Sequence, residues 1–71
     1  MPEQKINIGQ IIKSRRIELG LTQEDLAGRI GIPRQNVVRM EKYLHSPSVE
    51  VLEKYALALD CKLEILLIPN K

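Results

Sequence analysis

Within one short stretch, GIPRQNVVRMEKY from Gly31 to Tyr43, the chain carries Arg34, Gln35, Asn36, Val38, Arg39 and Lys42. Guanidinium and amide groups are flat and rich in hydrogen bonds. Arginine donates two hydrogen bonds to guanine, glutamine and asparagine pair with the adenine edge, and an aliphatic group touches the thymine methyl. Lysine adds a charge for phosphate. The chemistry these residues offer is recognition of base edges in the major groove of double-stranded DNA. They equally suit an ordinary solvated helix face, since Arg, Gln and Lys are common there.

A helix is needed to present them, and the sequence provides one. Pro33 suits a first helical turn, where its missing N–H costs nothing. Val37, Met40 and Leu44 follow at helical spacing and form a stripe for a core. At 100° per residue, Gln35, Arg39 and Lys42 point away from that stripe, with Val38 at its flank and Arg34 and Asn36 at the helix start. The preceding segment narrows the reading. Counting from Gln23, a small Ala27, a turn-forming Gly31 and the apolar Val37 and Met40 fall where a helix-turn-helix needs them. Ala27 lets two helices approach closely, Gly31 permits the sharp turn, and the apolar pair locks the second helix to the core.

Two helices precede the reading helix. Asn7 is a good N-cap with Gln10 three residues on, Ile6 and Ile11 suit a hydrophobic staple, and Ile8, Ile11, Ile12 and Leu19 form an apolar face. Gly20 ends that helix. Thr22 and Asp25 form a capping pair for the next, whose Leu26, Ala27 and Ile30 face inward. Ser48 caps a last helix carrying Leu52, Tyr55, Ala56 and Leu59, with the Tyr55 hydroxyl expected at the edge of the core. The end, CKLEILLIP, breaks the helical pattern. Cys61, Leu63, Ile65 and Leu67 alternate with Lys62 and Glu64, then Leu66 and Ile68 make both faces apolar until Pro69. A strand over 61–68 is favoured over a helix. A lone strand needs a partner, and the same strand of a second copy is the nearest.

Composition excludes several function classes. With 71 residues the chain is one small domain, near the size where a single core is marginal. Cys61 is the only cysteine, which fits a reducing compartment and rules out a disulfide within the chain. Cys61 is read as a small apolar residue at a dimer interface. With His45 also single, no His/Cys metal cluster can be assembled, and no Cys–His nucleophile is expected. Asp25 and Glu24 are explained by capping and the helix dipole, not acid–base work. No enzyme, metal, cofactor or small-molecule substrate is expected. MPEQKINIG has no apolar signal core, and no stretch reaches the length of a membrane span, so a cytoplasmic location is expected. Net charge is only +2, but it is unevenly spread. Lys13, Arg15, Arg16, Arg29, Arg34, Arg39 and Lys42 oppose four acidic residues between 13 and 42, whereas two basic face four acidic residues between 43 and 70. Lys5, Lys13 and Arg15 suit phosphate contacts or plain solvation.

The stretches LGLTQEDLAGRIGIPRQNVVRMEK and SPSVEVLEKYALALD resemble the Xre/Cro/phage-repressor class of helix-turn-helix proteins. The resemblance covers roughly Ile8 to Asp60. It implies an all-α, four- to five-helix lambda-repressor-like fold with the helix-turn-helix at 22–42; the single domain is expected over 1–71, with an N-terminal arm at 1–6 and the dimerisation strand at 61–68. It also implies a homodimer on DNA. Carried over, Gln23 contacts a phosphate and braces the first base-reading side chain. Arg34, Gln35 and Arg39 read bases, and Thr22, Asn36 and Lys42 lie where backbone contacts are common. Arg16 and Glu41 fall on an ion pair assigned to architecture, because Glu41 projects near the buried stripe and needs a cation there. Pro33 in place of a Ser or Thr cap, Asp60 in place of Gly, and KYLHS in the loop depart from the pattern. The tail resembles the strand of some antitoxins of this class, which would place Leu63, Ile65, Leu66, Leu67 and Ile68 in a dimer contact. Two readings follow: a dimeric repressor binding an inverted repeat, or an antitoxin that neutralises a toxin protein and regulates its own operon. A controller of restriction–modification genes is a third, with no residue specifically in its favour.

Overall fold

Residues 7–43 and 46–70 are described in the computed structural model. The expected arm at 1–6, with Lys5 and Ile6, and the loop residues Leu44 and His45 lie outside them. Four helices run in order: α1 (Ile8–Glu18), α2 (Gln23–Ile30), α3 (Arg34–Lys42) and α4 (Val49–Ala58). α1, α2 and α4 begin where the sequence places a cap, while Pro33, expected in the first turn of α3, precedes it at the N-cap. The Gln10 amide donates to Asn7 Oδ1 at 3.1 Å. Thr22 and Asp25 form a two-way box, with the Asp25 N–H on the Thr22 hydroxyl at 3.0 Å and the Thr22 N–H on the Asp25 carboxylate at 2.9 Å. That backbone bond, and then the hydroxyl, holds the Asp25 carboxyl below its ordinary range. Ser48 accepts from the Val51 amide at 3.2 Å.

The helix ends are as specific. Gly20 at φ 71° puts its N–H on the Ile17 carbonyl at 2.9 Å and that of Leu21 on Arg16 at 3.0 Å, a complete Schellman motif. Gly31 turns α2 into α3 at φ 86°, ψ 35°. Asp60 takes φ 56°, and the Asp60 and Cys61 amides close α4 on Leu57 and Ala56 at 3.2 and 2.8 Å. Aspartate is among the side chains that tolerate the left-handed region, so the missing glycine is replaced without a change of motif.

The core is formed by Ile12, Leu26, Ala27, Val37, Met40, Tyr55 and Leu59, with α3 packed on α1 and α2, and α4 packed on α2. Ile11 departs from the expected apolar face: it is 61% exposed. The side of α1 that meets α3 carries Gly9, Ile12 and Arg16 instead. A Cβ on Gly9 would meet the Met40 carbonyl oxygen and lie 3.0 Å from Glu41 Cα, so α1 and α3 touch through backbone.

The expected strand over 61–68 is corrected. Residues 61–70 contain no helix or strand, and Ile65, Leu66, Leu67 and Ile68 are exposed, Leu67 to 95%. A strand exists only through its ladder, and no described segment of this chain offers an edge to pair with. Among the described residues no helix is long and apolar enough to cross a membrane.

Gly9→Ala is expected to lower stability by about 1–3 kcal/mol, because the new methyl group overpacks a rigid backbone contact. Urea unfolding of the two proteins measures this directly; equal midpoints would show that α1 withdraws from α3 without cost.

Candidate nucleic-acid interface

α3 is held from behind and open in front. Val37, Met40 and Glu41 are buried, while Arg34, Gln35, Asn36, Arg39 and Lys42 are exposed and Val38 is half-buried. Arg34, Gln35, Val38, Arg39, Lys42 and Tyr43 line one shallow surface. Lys42 lies 5.5 Å from the centre of the Tyr43 ring, a cation–π contact at its edge. Asn36 is turned to another side, lining a hollow with Arg39, Met40 and Lys54 toward α4. Pro33 gives α3 no side-chain cap; it presets the entry geometry at φ −64°, ψ 146°, and its carbonyl accepts from the Asn36 amide at 3.0 Å.

Behind this face lies a buried polar network. Arg16 from α1 and Glu41 from α3 meet side by side, Nε to Oε2 at 2.8 Å and Nη2 to Oε1 at 3.1 Å. Their side chains are only 11% and 4% exposed. The third arm of the guanidinium, Nη1, donates to the Leu21 carbonyl at 2.7 Å, in the turn before α2. Gln23, the first residue of α2, donates from Nε2 to Glu41 Oε1 at 3.2 Å. One carboxylate thus joins α1, the start of α2 and the reading helix. The Tyr55 hydroxyl is pushed up by burial and, second, by the Glu41 charge, so it stays neutral behind the site.

Other basic residues are committed elsewhere. Arg15 Nε donates to the Leu59 carbonyl at 3.1 Å, and Arg29 Nη1 to the Ala58 carbonyl at 2.9 Å, with Asp60 3.6 Å away. Both close the C-terminus of α4, which has no basic residue in its own last turn. Arg15 is therefore engaged in the fold, whereas Lys13 is exposed. Thr22 is exposed at the α2 N-terminus, its hydroxyl accepting the Asp25 amide. Cys61 is exposed, its thiol 3.4 Å from the Leu59 carbonyl. Sequence reasoning missed Gly9, the Arg15 and Arg29 caps and the Gln23–Glu41 bond. Only Gly9 left a signal, as a glycine in the first turn of a helix.

Two helices joined by a glycine turn, the second exposed along a hydrogen-bonding face and the first braced behind it, define a helix-turn-helix domain. The helix-turn-helix family model matches residues 12–66, and the chain belongs to that family. It is 47% identical over 49 residues to an uncharacterized HTH-type transcriptional regulator of Methanothermobacter thermautotrophicus, covering 69% of this chain and 71% of that one. Among solved structures it resembles the restriction–modification controller protein C.AhdI from Aeromonas hydrophila. There the TM-score is 0.72 at 33% identity, over 80% of this chain and 86% of that one. It also resembles SinR, a master regulator for biofilm formation solved in complex with DNA, with TM-score 0.70 and 36% identity over 78% and 89% of the two chains.

Glu41→Ala is expected to cost about 3–5 kcal/mol, since it strands the Arg16 charge in the interior. Chemical denaturation tests it. A loss below about 1 kcal/mol, the range of an exposed pair, would mean that water reaches this carboxylate.

Proposed function

We propose that this chain is a DNA-binding transcriptional regulator, acting as a dimeric repressor on an inverted repeat. The observation that carries the reading is the exposed face of α3, where Arg34, Gln35, Val38, Arg39 and Lys42 share one surface. Arg34, Gln35 and Arg39 read base edges, Val38 meets a thymine methyl, and Thr22, Gln23, Asn36 and Lys42 face the sugar–phosphate backbone. The fold shared with SinR, itself solved with DNA, supports the same role for α3. A restriction–modification controller shares the fold at nearly equal TM-score, so the reading commits to DNA recognition and not to a set of genes. It needs no catalysis and no cofactor, and it places the protein in the cytoplasm with the DNA. No observation favours the antitoxin alternative.

Dimerisation follows from the size of the site. A single reading helix spans few base pairs, and two protomers place two such helices about 34 Å apart, one turn of DNA. An apolar groove between α1 and α4 is lined by Ile8, Ile11, Leu52, Ala56 and Leu63, and further along the chain Ile65, Leu66, Leu67 and Ile68 are exposed. So much uncovered apolar surface on a small domain fits a contact with a second copy. It supports a dimerisation role for 61–68 that needs no strand in the single chain.

Binding of the purified protein to the DNA upstream of its own coding sequence, against a scrambled competitor at two salt concentrations, tests the reading. Tight, competitor-resistant binding with two half-sites is expected. Equal loss of both DNAs at moderate salt would leave only phosphate attraction and sink it. Arg34→Ala and Gln35→Ala should each weaken specific binding by roughly 1–3 kcal/mol and relax preference at one base position. Unchanged affinity in both would remove them from the reading set. Leu67→Asp is expected to leave the domain folded but monomeric in sedimentation, and to lower DNA affinity because the half-sites are no longer tethered. A dimer that survives this change would move the contact elsewhere.

A further inference from the structure

The bond between Gln23 and Glu41 has a direction that chemistry fixes. An ionised carboxylate only accepts hydrogen bonds, so the amide nitrogen of Gln23, and not its oxygen, faces Glu41 at 3.2 Å. The oxygen is thereby turned away. No described residue donates to Gln23 Oε1, and no buried side-chain polar atom among the described residues lacks a partner, so this oxygen is open to solvent. Glu41 cannot yield to another arrangement, because Arg16 grips both of its oxygens, at 2.8 and 3.1 Å, and is itself tied to the Leu21 carbonyl at 2.7 Å. Leu21 lies two residues before Gln23, so backbone and side chain at the start of α2 are referenced to the same pair.

We propose that Glu41 is a positioning residue for DNA recognition, acting through Gln23, whose amide it holds nitrogen inward and oxygen outward. This rests on the DNA-binding reading and deepens it. A phosphate oxygen is an acceptor, so an outward amide oxygen repels it. Gln23 meets the backbone with its one remaining side-chain N–H or its main-chain N–H. Its oxygen receives an N–H donor, which Arg34 and Gln35 on the reading helix both carry. The carboxylate thus removes one of two amide orientations before DNA arrives, and binding does not have to select it.

The test separates this role from architecture. A buried ion pair replaced by apolar side chains of similar volume commonly keeps the fold. Arg16→Met combined with Glu41→Leu therefore removes the acceptor and leaves the net charge unchanged. With folding verified by thermal unfolding, this variant should bind the upstream DNA about 3- to 10-fold more weakly, the worth of one hydrogen bond. Gln23→Ala should cost a similar factor in the original protein and nothing further in the apolar-pair background. Original-strength binding by the apolar-pair variant, or an equal Gln23→Ala loss in both backgrounds, would overturn the proposal. Should that variant not fold, NMR of the original protein decides. The Gln23 side-chain amide protons are expected to exchange more slowly than those of exposed Gln35, with and without DNA, and equal exchange rejects the assignment. Failure of the parent protein to prefer its upstream DNA while Gln23 stays protected would instead reject the function and leave the Glu41–Gln23 orientation standing.

Discussion

The arrangement of α1, α2 and α3 depends on one buried carboxylate. Glu41 lies on the inner side of the reading helix, and a charge there is tolerated only with a full set of partners. Arg16 supplies two of them from α1, and Gln23 supplies another from α2. Apolar packing alone is non-directional and leaves helices free to slide by a fraction of a turn. A bidentate guanidinium–carboxylate pair is directional and fixes both distance and rotation. In a domain of 71 residues with an almost wholly aliphatic core, this pair sets the angle at which α3 is offered. The close backbone contact at Gly9 works in the same place, bringing α1 down onto Met40 and Glu41.

Much of this was legible in the residues, because the signals were local. Caps at Asn7, Thr22 and Ser48, the glycine turns at Gly20 and Gly31, and the apolar spacing of Val37 and Met40 each act within one or two turns of chain. The exposed side of α3 followed from the same periodicity. Where the sequence misled, the determinant was distant. Ile11 fits the apolar stripe of α1 on a wheel, but α3 packs on the side that carries Gly9, Ile12 and Arg16, and Ile11 is left exposed. The alternation in KLEILLIP is a real strand pattern, yet a ladder needs a second edge, and no described segment of the single chain gives one. Gln23 was expected to contact a phosphate and to brace the first base-reading side chain. Its bond to Glu41 spans 18 positions and leaves no trace in local pattern.

Small size explains the uncovered surface. A short chain has more boundary than interior, and four helices cannot cover all of its aliphatic side chains. What is left over includes Ile11 on α1, Leu57 on α4 and the run from Ile65 to Ile68. Ile11 lines the apolar groove between α1 and α4, which shares no residue with the polar face of α3. One surface of the domain is thus polar and hydrogen-bonding and another apolar, a separation that allows one to be occupied without masking the other.

The two arginine caps on α4 carry a consequence for how the domain opens. α4 ends in carbonyls that no residue of its own last turn satisfies; Arg15 reaches them from α1 and Arg29 from α2. Fraying of α4 therefore removes acceptors from two other helices, and loss of either helix uncovers the end of α4. Such cross-bracing makes local melting costly relative to complete melting. α1, α2 and α4 are therefore expected to exchange their amide hydrogens as one cooperative unit, and α3, packed on α1 and α2, to share that unit's lifetime and not that of an isolated nine-residue helix.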